Sequence, residues 1–107
     1  MALDREEYKA EFAAIAWQTP MRGLRYKACR RGEKQLRLVE YAAEMEPHWC
    51  DKGHIGYILE GRFEIAFDGG PVTFEPGDGV FIPAGREHRH KARCLTPTVV
   101  AIFVEEA

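Results

Sequence analysis

Three histidines and one cysteine form the set of residues in this sequence best suited to metal chemistry. His48, Cys50 and His54 lie in one short segment, and His88 ends a second segment, Pro83–His88. Imidazole nitrogen and thiolate sulfur suit zinc, iron, nickel or copper and do not suit magnesium or calcium. The four residues therefore predict a site for one divalent transition metal, with zinc, iron or nickel as the candidate ions.

The spacing of these residues predicts how they converge. Side chains alternate between faces on an extended strand, so His48 and Cys50 are expected on the same face. The segment Asp51–Gly53 predicts a turn that brings His54 back beside them. Three histidines would leave an open coordination position, as catalytic metals have. Cys50 has two open interpretations, a fourth ligand as a thiolate or a small buried hydrophobic side chain.

Catalysis would need a proton donor or acceptor in addition to the metal ligands. Tyr57, Glu87 and His90 are the candidates near the two segments. His90 follows His88 by two residues, so it is expected on the same inward face, in the cavity wall. Aromatic side chains are also expected to line an apolar pocket for a small molecule. These aromatic residues are Tyr57, Phe63, Phe81 and Phe103.

The two segments resemble the two motifs of the cupin superfamily. The second motif, built on glycine, proline, glycine, histidine and asparagine, is matched by Gly77, Pro83, Gly85 and His88, with Ala92 at the asparagine position. In the first motif the two histidines, the glutamate and the closing glycine correspond to His48, Cys50, His54 and Gly61, with Ala42 at the leading glycine. The usual three histidines and one glutamate thus become three histidines and one cysteine.

This resemblance covers roughly residues 35–104 and implies a fold. It implies an all-β, double-stranded β-helix, the jelly-roll barrel of cupins, with any metal held inside near one mouth. Many short alternating segments separated by turn residues independently predict a β-sandwich or barrel. We expect residues 1–34 to form an N-terminal helix and the first strand or strands, packed on a cupin barrel of residues 35–107, as a single domain.

Two segments outside the motifs carry structural predictions. Asp4 and Glu7 form a capping pattern, and apolar residues then recur at helical spacing, which predicts a short amphipathic helix over residues 5–16. The segment Thr98–Val104 is rich in β-branched residues, which predicts a central strand covered on both faces. Because a small barrel leaves sheet edges and the helix stripe needs cover, we expect a homodimer, as the resemblance also implies.

Composition excludes several classes of protein. The 107 residues suffice for one domain, and a net charge of −2 with interspersed charges argues against a nucleic-acid partner. No apolar run approaches the ~20 residues that a membrane span needs, and the first residues do not resemble a signal peptide. Three cysteines, an odd number, predict free thiols in a reducing compartment. A cytoplasmic protein is expected.

The sequence leaves three classes of function open. The first is a metal-dependent enzyme, such as an oxygenase, isomerase or lyase, whose small substrate binds an open coordination position. The second is a sensor or binding module that holds a metal or small ligand without turnover. The third is a metal-free barrel with a structural role. The jelly-roll fold serves so many functions that it does not choose among them.

Overall fold

Nine strands make up most of the computed structural model, which describes residues 1–107. The strands are β1 (Gln18–Met21), β2 (Leu24–Arg31), β3 (Lys34–Ala42), β4 (His54–Glu60), β5 (Phe63–Phe67), β6 (Gly70–Phe74), β7 (Gly79–Ile82), β8 (His90–Cys94) and β9 (Thr98–Glu106). They form a six-stranded sheet in the order β1, β2, β3, β9, β4, β7 and a three-stranded sheet in the order β6, β5, β8. All strand pairs are antiparallel. The predicted jelly-roll fold is confirmed.

Alternation along the strands places the core between the two sheets. On β9, Val99, Ala101 and Phe103 are buried, while the intervening residues face outward. Phe63 and Ile65 of β5 supply the opposite wall. Each large apolar side chain buried in this way stabilises the fold by ~1.5–3 kcal/mol. The other buried core residues are Val39, Ile58, Val80 and Ile82.

The last strand is central, as predicted, but the molecule covers only one of its faces. β9 lies between β3 and β4 in the six-stranded sheet. On its outer face, Val104 pairs with Ile55 of β4, and both side chains remain about half exposed. The expectation that both faces of β9 are covered is therefore not met within one chain.

The predicted N-terminal helix over residues 5–16 is wrong in form, because two 3₁₀ turns replace it. The turns span Arg5–Tyr8 and Phe12–Ala14, and an extended Lys9 separates them. The expected capping pattern between Asp4 and Glu7 is present. A helix of this length is only marginally stable in water, so other contacts decide its conformation.

Side chains of β2 hold this segment in place. Lys27 Nζ donates to the carbonyl oxygen of Phe12 at 2.8 Å, and Arg31 Nε donates to that of Glu7 at 2.8 Å. These bonds occupy carbonyl oxygens that a continuous helix would use for its own hydrogen bonds. The N-terminal segment therefore lies as irregular chain over the outer face of β2.

The structure contains no helix of the length and apolar character needed to cross a membrane.

Candidate metal centre

A cavity of about 230 Å³ lies between the two sheets. A cavity of about 150 Å³ is enough to admit benzene, so this one has room for a small molecule. Most of its wall is apolar and comes from the core residues of both sheets. The polar and charged lining residues are Arg37, Tyr41, His48, Cys50, Lys52, His54, His90 and Lys91.

Three of these residues form a compact group of metal-ligating atoms. One side-chain atom each of Cys50, His54 and His90 lies within 4.8 Å of the other two. The backbone positions them, since Cys50 N donates to the His90 carbonyl at 2.8 Å and His90 N donates to the Cys50 carbonyl at 2.9 Å. His54 opens β4, where it pairs with Ile82 of β7. The group thus takes Cys50 from the loop before β4, His54 from β4, and His90 from β8, an edge strand of the smaller sheet.

Glu105 fixes the tautomer of His54. His54 Nδ1 lies 2.9 Å from Glu105 Oε2. A carboxylate only accepts hydrogen bonds, so Nδ1 carries the proton and Nε2 of the neutral ring keeps a free lone pair. The same carboxylate accepts from Arg37 Nε at 2.6 Å and Nη2 at 2.9 Å. Histidines that bind metals are commonly oriented by a carboxylate in this way.

These hydrogen bonds also keep Glu105 ionised. Burial alone would raise the pKa of this carboxyl group, but the bonds from His54 and Arg37 outweigh that effect and lower its pKa to about 2. The carboxylate is therefore charged at any pH near neutrality. It balances the charge of Arg37 beside the cavity and acts as a fixed acceptor for His54.

His90 presents a buried nitrogen that no protein group satisfies. Its side chain is only 4% exposed, and Nδ1 donates to the carbonyl oxygen of His88 at 3.0 Å. Nε2 has no hydrogen-bond partner. A buried polar atom without a partner costs ~1–3 kcal/mol. Burial also lowers the pKa of His90, so the neutral ring with a free lone pair is favoured. A metal ion would satisfy this nitrogen.

His48 lies at the same cavity but outside the compact group. It lines the cavity wall, and its ring Nδ1 lies 3.4 Å from the carbonyl oxygen of Glu46. The chain around it does not form the expected strand, because only Cys50 makes a strand-like bridge there. The alternation that would place His48 and Cys50 together on one face therefore does not apply.

His88 is not brought to the group. It ends the 3₁₀ turn Arg86–His88, its side chain is 41% exposed, and Nε2 lies 3.8 Å from Glu87 Oε1. Strand β8 begins only at His90, so the two histidines do not share the inward face expected of a continuous strand. His90, which was predicted to line the cavity wall, thus lies in the group in which the sequence pattern placed His88.

The other predicted pocket residues divide between the cavity and the outer surface of the molecule. Phe63 and Phe103 line the cavity, as expected. Tyr57 and Phe81 instead lie on the outer face, where Tyr57 is about half exposed and Phe81 is largely exposed, and Glu87 is exposed on its turn. Tyr57 and Glu87 therefore lie outside the cavity in which they were expected to act.

Sequence reasoning missed Tyr41 and Glu105. Burial raises the pKa of Tyr41, which lines the cavity and stacks on Phe63 with ring centroids 5.4 Å apart. Its hydroxyl group therefore stays protonated near neutral pH. For Glu105 a signal was available, since it follows Phe103 by two residues on the inward face of β9. A carboxylate on an inward face needs a charged or hydrogen-bonding partner.

The fold and this group of side chains define a small jelly-roll protein with a Cys/His/His arrangement suited to a metal. The sequence profile of the cupin domain matches residues 36–105. The chain belongs to the cupin family. No curated protein sequence gives a significant match.

Solved structures show the same fold. KdgF from Halomonas sp. superposes with a TM-score of 0.68 at 25% identity, over 83% of each chain. The polyketide cyclase RemF from Streptomyces resistomycificus gives a TM-score of 0.73 at 17% identity, over 92% of this chain and 78% of that one. A cupin-superfamily sugar phosphate isomerase from Silicibacter pomeroyi gives 0.71 at 17% identity, over 92% and 75%. At the lower identities the likeness concerns the fold alone.

Proposed function

We propose that this protein is a metal-dependent cupin in which Cys50, His54 and His90 hold one divalent transition metal beside a small-molecule cavity. The observation that carries the proposal is the buried, unpartnered Nε2 of His90. His90 belongs to the group formed with Cys50 and with a His54 whose Nδ1 proton is held by Glu105. Both imidazoles are thus prepared to offer a lone pair, and burial alone would not require that.

The ligand set favours particular metals and leaves a position open. One thiolate and two imidazoles suit zinc, with iron and nickel as alternatives. Catalytic zinc sites pair three protein ligands with a water or substrate in the fourth position. A bound metal would polarise a carbonyl or acidify a water there. We propose small-molecule conversion of the oxygenase, isomerase or lyase type, with His48 at the cavity wall as the residue placed for proton transfer.

A non-catalytic binding module is the second candidate function. It is favoured by the scarcity of proton acceptors at the cavity, where no Asp or Glu is among the lining residues and the pKa of Tyr41 is raised. Replacement of His48 by Gln separates the two candidates. An enzyme would lose turnover while it keeps its metal, whereas a binding module would keep both metal and ligand affinity.

Two histidine variants provide the direct test of the metal site. Protein stripped with a chelator is titrated with Zn²⁺ against a competing dye, as wild type, His90→Ala and His88→Ala. We expect one high-affinity site in the wild type, a loss of about 100-fold or more in His90→Ala, and little change in His88→Ala. The two residues are close in sequence and differ in whether they reach the group. Equal losses in both variants, or none in either, would contradict the assignment.

For the assembly we propose a homodimer formed through the outer face of the larger sheet. On that face, Ile55 of β4 pairs with Phe81 of β7 on one side and with Val104 of β9 on the other, so the three side chains form one row. Two further apolar residues of β4, Tyr57 and Leu59, lie beside this row. Phe81 is 77% exposed. The chain's own N-terminal segment lies over β2 and leaves this end of the face open. The row contains no charged side chain, so an identical patch on a second copy fits it by two-fold symmetry.

The dimer is tested by placing a charge in this row. Phe81→Lys would bury an unpaired ammonium in the interface, so we expect the mass measured by light scattering to fall from dimer to monomer. Tyr8→Lys is the matched control, since Tyr8 is equally exposed but lies outside the row. A monomeric wild type, or a dimer that Phe81→Lys leaves intact, would contradict the proposal.

A further inference from the structure

The charged residues that line the cavity are all cationic. They are Arg37, Lys52 and Lys91, and no carboxylate side chain lines the wall. Glu105, which lies behind the wall, neutralises Arg37. Neither Lys52 nor Lys91 is among the residues that form ion pairs. No carboxylate of the chain therefore neutralises either of these two ammonium groups at the cavity and its mouth.

The hollow outside the cavity has the same sign of charge. It shares His48, Cys50 and Lys52 with the cavity and adds Arg86 and Arg89, with Asp51 as its one acidic lining residue. The chain as a whole carries a net charge of −2, so this cationic mouth does not follow from the overall composition. A mouth with an excess of positive charge raises the local concentration of anionic ligands.

An aromatic ring joins the two sets of cations. Trp49 lies in the hollow with the Lys91 Nζ 4.9 Å from its ring centroid and the Arg89 guanidinium carbon 4.5 Å from it. Stacking on the ring holds these long side chains at the mouth. Arg89 also forms an ion pair with Asp68, whereas Lys91 forms no ion pair.

We propose that the cavity binds a small organic carboxylate, with its anionic group held by Lys52 and Lys91 and its apolar body against the core side chains. The apolar wall, which includes Phe63 and Phe103, argues for an organic body over a free inorganic anion. This inference rests on the proposed function, because it names the class of molecule that would occupy the cavity beside the metal. It also makes a claim about the lysines that is measured independently of the metal.

The test uses benzoate, its neutral isostere benzamide, and inorganic phosphate as probes. Binding is followed by the fluorescence of Trp49 in a Trp17→Phe background, since Trp17 stacks on Arg25 and Lys27 of β2, away from the mouth. Each probe is titrated into metal-free and Zn²⁺-loaded protein. We expect benzoate to bind about tenfold more tightly than benzamide and more tightly than phosphate, in both forms of the protein.

Lysine variants test whether the two proposed side chains cause the difference. Lys52→Gln and Lys91→Gln should each weaken benzoate binding by about five- to tenfold and leave benzamide binding unchanged. Lys9→Gln, an exposed lysine on the N-terminal segment, should change neither. Zinc affinity is measured on the same samples and should be equal in all three variants.

Several outcomes would overturn the inference. They are equal affinity for benzoate and benzamide, no saturable benzoate binding at millimolar concentration, tighter binding of phosphate than of benzoate, or a lysine variant that behaves like Lys9→Gln. Failure of the proposed function would look different. The wild type would then not bind zinc. The metal-free titrations would still show whether benzoate is preferred and whether that preference depends on Lys52 and Lys91.

Discussion

Replacing Glu105 with Gln tests the link between the core and the metal site. The pKa of Glu105 is lowered to about 2, so at neutral pH the substitution removes a full negative charge. The side chains of Arg37 and Glu105 are only 18% and 13% exposed. The amide that replaces the carboxylate carries no charge to balance the guanidinium of Arg37. It keeps one acceptor oxygen, and its NH2 group faces the N–H donors of Arg37 or His54 where a carboxylate oxygen now accepts from them.

The size of the effect follows from this burial. Removing one partner of a fully buried ion pair costs ~3–5 kcal/mol, and exposed pairs contribute ~0.2–1 kcal/mol. For a mostly buried pair that keeps one acceptor, we expect the free energy of unfolding to fall by about 2–3 kcal/mol. A neutral amide is a weaker acceptor for His54 Nδ1 than a carboxylate and orients the ring less strongly, so zinc binding should weaken by about 10- to 100-fold, the range for groups that orient metal ligands.

Glu40→Gln is the matched control. Glu40 accepts the same two-point bond from Arg25, at 3.2 and 3.0 Å, but this pair is more exposed and lies away from the cavity. It should lose no more than about 1 kcal/mol and keep its zinc affinity. Urea unfolding of metal-free protein and Zn²⁺ competition give the two measurements. If Glu105→Gln loses stability but binds zinc like Glu40→Gln, then Glu105 supports the fold only and does not orient His54.

Two further predictions follow from the packing and from the thiol. Gly56→Ala should lower the free energy of unfolding, measured in urea, by about 1–3 kcal/mol, because a Cβ there would overlap the carbonyl oxygen of Ile102. Gly69→Ala is the control, since a Cβ at Gly69 would have no atom within 4 Å, and it should change the free energy of unfolding by less than about 0.5 kcal/mol. Cys50 should resist iodoacetamide in zinc-loaded protein and react after chelation, because a metal holds its thiolate. Cys29, which does not line the cavity, is the control and should react at the same rate in both states, as followed by mass spectrometry. Equal rates for Cys50 in both states would show that Cys50 is not a ligand.

The fold was largely predictable from local patterns. Short alternating segments separated by turn residues predicted a β-sandwich or barrel, because each strand has one face on the core and the sequence must repeat with that period. The N-terminal segment was not predictable in this way, since its conformation depends on hydrogen bonds from Lys27 and Arg31, which are distant in sequence.

The candidate site was predictable in composition and only partly in geometry. Cys50 and His54 come together in the structure, but the sequence pattern pointed to His88 where the structure brings His90. The difference depends on where β8 begins, and strand boundaries are the least certain part of any pattern analysis. A start two residues earlier would give a strand on which both histidines share a face. The 3₁₀ turn Arg86–His88 removes that possibility.

One strand connects the stability of this protein with the chemistry of its cavity. The inward face of β9 carries Val99, Ala101 and Phe103 in the core and then Glu105, which holds His54. At the far side of the group, the buried Nε2 of His90 has no partner among the protein groups, so a metal would supply one. A ligand that binds only the folded state stabilises it by ~4 kcal/mol at a thousandfold excess over its dissociation constant. Metal binding would therefore satisfy a buried nitrogen and strengthen the whole fold, since one of the proposed ligands, His54, is held by Glu105 on β9.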